Sequence, residues 1–194
     1  MDTIEPAKTA LLLIDPQREY FDEGRPLYTP NAETIRGNLV RLREAADGAG
    51  VQTVLVKHVQ PAGPDARAFV EGTPWVEPIP ELSPRERDIV VEKDRYSAFV
   101  RTPLGDLLQE RGINTVIVTG LMTNYCSETT ARHAHDLDYR VIFVTDANAG
   151  PDMQDVGFGP VSHEDVMRTV ATSLAGGIAD VIDTDEALAR MKSR

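Results

Sequence analysis

Asp15, Lys93 and Cys126 are the residues whose types suit acyl transfer: a carboxylate to accept a proton, an ammonium to favour negative charge, and a thiol to attack a carbonyl. Each closes or shortly follows an apolar run: Leu13-Ile14-Asp15, Val91-Glu92-Lys93, and Val118-Thr119-Gly120 continuing through Leu121-Met122-Thr123-Asn124-Tyr125 to Cys126. In open α/β sheets ligands bind beyond the carboxyl ends of the strands, so runs of this kind would deliver all three groups to one edge. Cys126 precedes a segment, 127–137, that reads as a helix, with Ala131, Ala134 and Leu137 at three-residue steps. The dipole and free N–H groups of a helix start favour a thiolate, and an adjacent Lys93 would push the same way. Residue types alone leave other readings open. Cys126 could pack as an inert apolar residue, Asp15 could cap a turn, and Lys93 could be a surface charge, although the apolar strand before Lys93 weakens that last reading.

The elements that must position these groups are legible as an alternation. Apolar, β-branched runs occupy 9–15, 51–59, 88–93, 115–119, 140–146 and, more weakly, 178–182, and each reads as buried on both faces. Between several of them lie segments with helical spacing. Ile35, Leu39, Leu42 and Ala46 form one, ending at Gly48 or Gly50, and Leu104, Leu107 and Leu108 form another, ending at Gly112. Ser162 followed by Asp165, ahead of Val166, Val170 and Leu174, is an acidic variant of a helix-capping signal. Strands of this type alternating with helices predict a three-layer α/β fold with a parallel sheet and right-handed crossovers. The stretch 60–83 breaks the rhythm with Pro61, Pro64, Pro74, Pro78 and Pro80, and reads either as a lid or binding loop or as a solvated surface loop. Its Trp75, the only tryptophan, would wall a pocket or pin the loop to the body.

Composition narrows the partners. The chain has 194 residues, 41% hydrophobic and 26% charged, without internal repeats or low-complexity tracts, so a single domain spanning 1–194 is expected. Its net charge of −11 repels polyanions, which argues against nucleic acid and anionic membranes. One cysteine permits no internal disulfide. The first residues carry acid where a signal peptide carries base, and the apolar run 10–14 is far short of the ~18 residues of a membrane span, so a cytoplasmic protein is expected.

Three motifs in order carry a family resemblance. Ala10-Leu11-Leu12-Leu13-Ile14-Asp15-Pro16-Gln17 with Phe21, Lys93 with Tyr96-Ser97-Ala98-Phe99, and Thr119-Gly120-Leu121-Met122-Thr123-Asn124-Tyr125-Cys126-Ser127-Glu128-Thr129-Thr130-Ala131 together resemble the isochorismatase-like cysteine hydrolases. The similarity extends to Asp146-Ala147 and to His163 at the last long helix. It implies a six-stranded parallel sheet of order 3-2-1-4-5-6, an Asp15-Lys93-Cys126 triad, and an oxyanion hole on the backbone N–H groups of Met122 and Cys126. A non-proline cis peptide between Leu121 and Met122 is also implied, turning the Met122 N–H toward the substrate oxygen. The activity implied is hydrolysis of a small amide, ureido, carbamoyl or lactam C–N bond through a thioester. A dimer or tetramer is implied as well.

The family's branches can be compared with these residues. The nicotinamidase branch binds a divalent metal through an Asp-x-His step and a later histidine, where this chain has Val56-Lys57-His58 and no further histidine before His133. No metal and no other cofactor are therefore expected, and His58 reads as a hydrogen-bonding group of the pocket or as a satisfied core histidine. His133 and His135, two apart on a helix, read as solvated side chains. Isochorismatases proper cleave a vinyl ether and commonly lack the cysteine, so Cys126 favours acyl transfer. Phe21, His58, Trp75, Tyr96 and Tyr125, with Phe99 a residue that could equally be core, are the expected walls of a pocket for a small planar substrate. Vinyl-ether hydrolysis, a catalytically silent binding protein and a thiol redox sensor are the alternative functions.

Overall fold

The computed structural model describes residues 3–192. Six parallel strands form one sheet in the order β3-β2-β1-β4-β5-β6. They are β1 (Thr9–Ile14), β2 (Gln52–His58), β3 (Ile89–Lys93), β4 (Thr115–Leu121), β5 (Arg140–Ala149) and β6 (Asp180–Ile182). The helices are α1 (Arg18–Phe21), α2 (Ala32–Ala49), α3 (Leu104–Glu110), α4 (Glu128–Asp136), α5 (His163–Ala175) and α6 (Thr184–Lys192). The parallel sheet and its layers match the expectation from the apolar runs, and the strand order is the one the resemblance implied.

The period of two along β1 explains why its run is apolar throughout. Leu11 and Leu13 enter one core with Ile35, Leu39 and Leu42 of α2, while Ala10, Leu12 and Ile14 enter the other with Leu104, Leu108 and Ala131. The sheet is thus buried on both faces at its centre. At its edge it is not: β3 alternates, with Val90 45% exposed and Glu92 outward, so a strand expected to be buried on both sides is covered on one.

Helix ends follow the sequence signals. Gly50 stops α2 in the left-handed region at φ 80, its N–H donating to the Ala46 and Asp47 carbonyls. Ser162 Oγ accepts from the Asp165 N–H at 3.1 Å and opens α5. The proline-rich connection between β2 and β3 carries two short 3-10 turns, Pro74–Val76 and Pro80–Leu82, and bridges back to the body at Gln17 and Pro78. Among the described residues no helix is long and apolar enough to cross a membrane.

Candidate active site

The carboxyl ends of β1, β3 and β4 bring Asp15, Lys93 and Cys126 together. Asp15 follows β1 with φ 47, and its N–H donates to the Val56 carbonyl of β2 at 2.9 Å. Two residues on, the buried Gln17 side chain locks the ends of β1 and β2 to the long connection. Its Nε2 donates to the carbonyls of His58 at 2.8 Å and Val76 at 2.7 Å, and its Oε1 accepts from the His58 N–H at 2.8 Å. On the other flank, Gly120 of β4 has φ 118, and a Cβ there would lie 2.0 Å from the Ile14 carbonyl oxygen. Only glycine permits this approach of β4 to the strand that ends in Asp15.

Lys93 is the hub. Its Nζ donates to Asp15 Oδ2 at 2.7 Å and to Cys126 Sγ at 3.1 Å, and lies 3.0 Å from His58 Nδ1, so three partners match the three N–H bonds of an ammonium. All three partners are buried. Asp15 Oδ1 is buried without a hydrogen-bond partner, which leaves acceptor capacity in the carboxylate. An Asp15 oxygen, a His58 ring nitrogen and Cys126 Sγ lie within 4.8 Å of one another.

These contacts set the protonation states. Burial pulls the Lys93 ammonium down, but the Asp15 charge and the hydrogen bonds to Asp15 and Cys126 hold it above its ordinary range, so it stays charged. Burial, with Lys93 alongside, lowers the His58 pKa, and the ring is neutral at physiological pH. With Nδ1 accepting from Lys93, the ring proton sits on Nε2, and since Gln60 Nε2 lies 3.0 Å from it, the Gln60 amide has to turn over to present its oxygen as the acceptor. Cys126 departs from the sequence expectation. Burial, then the Asp15 charge, pushes its thiol well above the ordinary range and outweighs the pull of Lys93. The resting residue is a thiol, and the thiolate expected from a helix start beside a lysine is not the ground state.

The backbone around Cys126 also differs from the expected start of a helix just beyond it. A π-helical turn, Thr123–Ser127, runs straight into α4 and contains Cys126. The Met122 carbonyl accepts from the Tyr125 N–H at 3.1 Å and the Ser127 N–H at 3.2 Å, passing over the Cys126 N–H between them. A regular α-turn would engage that N–H with the same carbonyl; the widened turn does not. The Leu121-Met122 peptide is cis, as the resemblance implied.

A cavity of about 650 Å³ opens onto Cys126. Of the expected walls, His58, Tyr96 and Tyr125 line it, and the Tyr96 and Tyr125 rings pack with centroids 5.2 Å apart. Met122 lines it too. Three expected walls do not. Phe21 points into the core beside α2, with the Arg36 guanidinium 5.7 Å from its ring centroid. Trp75 lies under Arg25, 4.0 Å from the ring centroid, and Arg25 pairs with the buried Glu19 at 3.0 Å, so this tryptophan pins the loop. Phe99 packs against His133 and Tyr139 in the core. His133 is half-buried, with Nδ1 2.8 Å from Ser97 Oγ, and is not the solvated histidine expected. The cavity also holds Tyr20 and Phe69, which the sequence reading passed over.

The potential metal ligands that converge are Asp15, His58 and Cys126, and they do not fit a divalent ion. The Lys93 ammonium already contacts all three, so a metal there would meet a fixed positive charge at bonding distance.

Comparisons with known proteins agree with this fold. The isochorismatase domain model matches residues 9–186. The secreted isochorismatase effector Isc1 of Verticillium dahliae is 34% identical, over 94% of this chain and 89% of its own length. The ureidoacrylate amidohydrolase RutB of Methylorubrum extorquens is 28% identical, over 96% and 85%. Nicotinamidase 3 of Arabidopsis thaliana is 31% identical, over 91% and 85%. Among solved structures, a cysteine hydrolase from Pseudomonas syringae pv. phaseolicola 1448A superposes with a TM-score of 0.93 at 33% identity, covering 99% of this chain and 96% of that one. Motifs, strand order and these matches together establish that the chain belongs to the isochorismatase family.

Proposed function

We propose that this protein is a cysteine hydrolase that cleaves the C–N bond of a small amide, ureido, carbamoyl or lactam substrate through a thioester on Cys126. The observation that carries the reading is the Lys93 ammonium bonded at once to Asp15 and to the Sγ of Cys126, the member of the three that lines the cavity. The names of two relatives, an amidohydrolase and a nicotinamidase, support C–N chemistry.

The protonation states dictate the order of events. A neutral thiol must lose its proton as it attacks, and the Asp15 carboxylate beside it is the acceptor. Sγ bonds to the substrate carbonyl carbon, the C=O electron pair moves to oxygen, and the thiol proton passes to Asp15. The new oxyanion is stabilised by the Met122 and Cys126 N–H groups, which favour charge present only in the tetrahedral state. Lys93 compensates the shifting charge of Asp15 and sulfur without leaving its place. Collapse expels the nitrogen, which takes the proton from Asp15, and leaves an acyl thioester. Water then attacks that carbonyl, giving a proton to Asp15, and the second collapse returns it to sulfur and releases the acid.

Ammonia release from a panel of amides, ureides, carbamoyl amino acids and nicotinamide, with ring-opened lactams read by mass, tests the reading. Hydrolysis of at least one C–N member is expected. Silence across the panel with cleavage of isochorismate would overturn it in favour of vinyl-ether hydrolysis, the reading that the 34% identity to an isochorismatase effector favours.

A further inference from the structure

We infer that the Tyr20 hydroxyl is a specificity-determining group that donates a hydrogen bond to a second acceptor oxygen on the substrate, beyond the carbonyl under attack. The substrate class this selects is an amide or ureide bearing a further carbonyl-type oxygen, in preference to a simple aliphatic amide. The inference rests on the C–N hydrolase reading above and refines it.

Tyr20 lines the cavity that opens onto Cys126 and is only 2% exposed. Its ring is held by Phe69, with centroids 5.3 Å apart, and its backbone carbonyl accepts from the Thr29 N–H at 3.0 Å. The ring is thus fixed from both ends. No protein group among the described residues hydrogen-bonds the hydroxyl, whereas the other buried polar groups on the cavity wall are engaged. His58 uses both ring nitrogens, and Cys126 accepts from Lys93. Tyrosines this deeply buried usually find a partner for the hydroxyl, whereas this one has none and keeps only a trace of exposure. A tyrosine that lines the substrate cavity with no partner for its hydroxyl is a recognition group awaiting its acceptor.

The electrostatics decide its polarity. Burial first, then Cys126 whenever its sulfur is ionised, and the charges of Asp15 and Glu19, raise the Tyr20 pKa well above its ordinary value. The hydroxyl therefore keeps its proton while sulfur and Asp15 exchange theirs, and donates. The reacting carbonyl oxygen is assigned to the backbone N–H groups of Met122 and Cys126, so the Tyr20 donor is left for another oxygen. A site built to hydrogen-bond a substrate group discriminates against the analogue lacking it more sharply than an apolar pocket rejects an added group.

Binding to the non-turnover variant Cys126→Ala separates this inference from the hydrolytic reading. Three isosteric pairs differ only in C=O against CH–CH3: pyruvamide and isobutyramide, acetoacetamide and isovaleramide, levulinamide and 4-methylpentanamide. Calorimetric affinities are compared in Cys126→Ala and in Cys126→Ala/Tyr20→Phe. In at least one pair the oxo compound should bind the single variant more tightly, and Tyr20→Phe should cut that preference about tenfold, at least threefold. Equal affinities within every pair, or a preference that Tyr20→Phe reduces less than threefold, would overturn the inference. A second readout uses ring-labelled tyrosine in the full chain carrying Cys126→Ala. The Tyr20 Cζ resonance, assigned by its loss in Tyr20→Phe, should shift with the preferred oxo compound and not with its isostere. If the unmodified protein hydrolyses no C–N compound, the hydrolytic reading falls while the binding result still decides the role of Tyr20.

Discussion

Cys126 and Asp15 are coupled in a way that gives opposite signs to two measurements on one variant. The Asp15 charge raises the thiol pKa, second only to burial, yet the same carboxylate is the base that must take the thiol proton. Asp15→Asn should therefore lower turnover by about 10³-fold or more, while iodoacetamide alkylates Cys126 faster at pH 8 than in the parent because the thiolate is easier to form. Alkylation that slows in step with turnover would contradict the coupling. At this scale the convergence of Asp15, Lys93 and Cys126 on one edge was legible from the runs that lead to them, whereas residue types alone left inert alternatives open and only the motif context singled the three out. The aromatic walls were legible only in part. Phe21 and Tyr20 are neighbours on the short helix α1, and successive helical residues point about 100° apart. Both reach the core, but only Tyr20 also lines the cavity, which a motif carrying Phe21 does not decide. Trp75 carried both readings, and Arg25 settles it as an anchor.

The central strands were readable because burial on two faces demands continuous apolar runs, the half-buried edge strand β6 only weakly so, and α2 and α5 because their caps are written in glycine and serine. The exceptions have physical reasons. β3 lies at the sheet edge, where one face is free of a helix and alternation replaces a solid run. The π-helical turn at Thr123–Ser127 has no periodicity that its five residues could announce. α6 went unnoticed although Asp183 Oδ1 accepts from the Glu186 N–H at 2.8 Å, a capping signal present in the sequence. The element that depends most on a single residue is β4. Gly120→Ala would need a left-handed φ and a Cβ overlapping the Ile14 carbonyl. We expect a loss of at least about 3 kcal/mol in urea unfolding, large for a single methyl. A midpoint within about 0.5 kcal/mol of the parent would contradict the close approach of β1 and β4.

Across the whole molecule the catalytic edge is braced by ties between distant segments. Gln17 joins the ends of β1 and β2 to the long connection, and a second tie lies below it, where Arg43 of α2 pairs with Asp88 just before β3 and donates to the Ser83 carbonyl at 2.8 Å. The Arg43–Asp88 pair is buried on both sides. Asp88→Asn leaves the guanidinium without its counter-charge, so stability should fall by about 3–5 kcal/mol, read as a lower denaturant midpoint. A change under about 1 kcal/mol would show the pair to be dispensable. The net charge of −11 was legible from composition; these ties, joining residues 40 to 59 apart in sequence, were not, because a polar or charged residue in a sequence does not name its partner.

The central claim is that Cys126 becomes acylated during turnover. Rapid-quench intact mass, taken with a substrate that the panel identifies, tests it most directly. The account predicts an adduct of the acyl mass on the peptide containing Cys126, appearing before free acid accumulates. It also predicts no adduct and at least about 10⁴-fold slower turnover in a folded Cys126→Ala protein. Sustained hydrolysis by Cys126→Ala, or full turnover by the parent enzyme with no acylated species at any time, would contradict it.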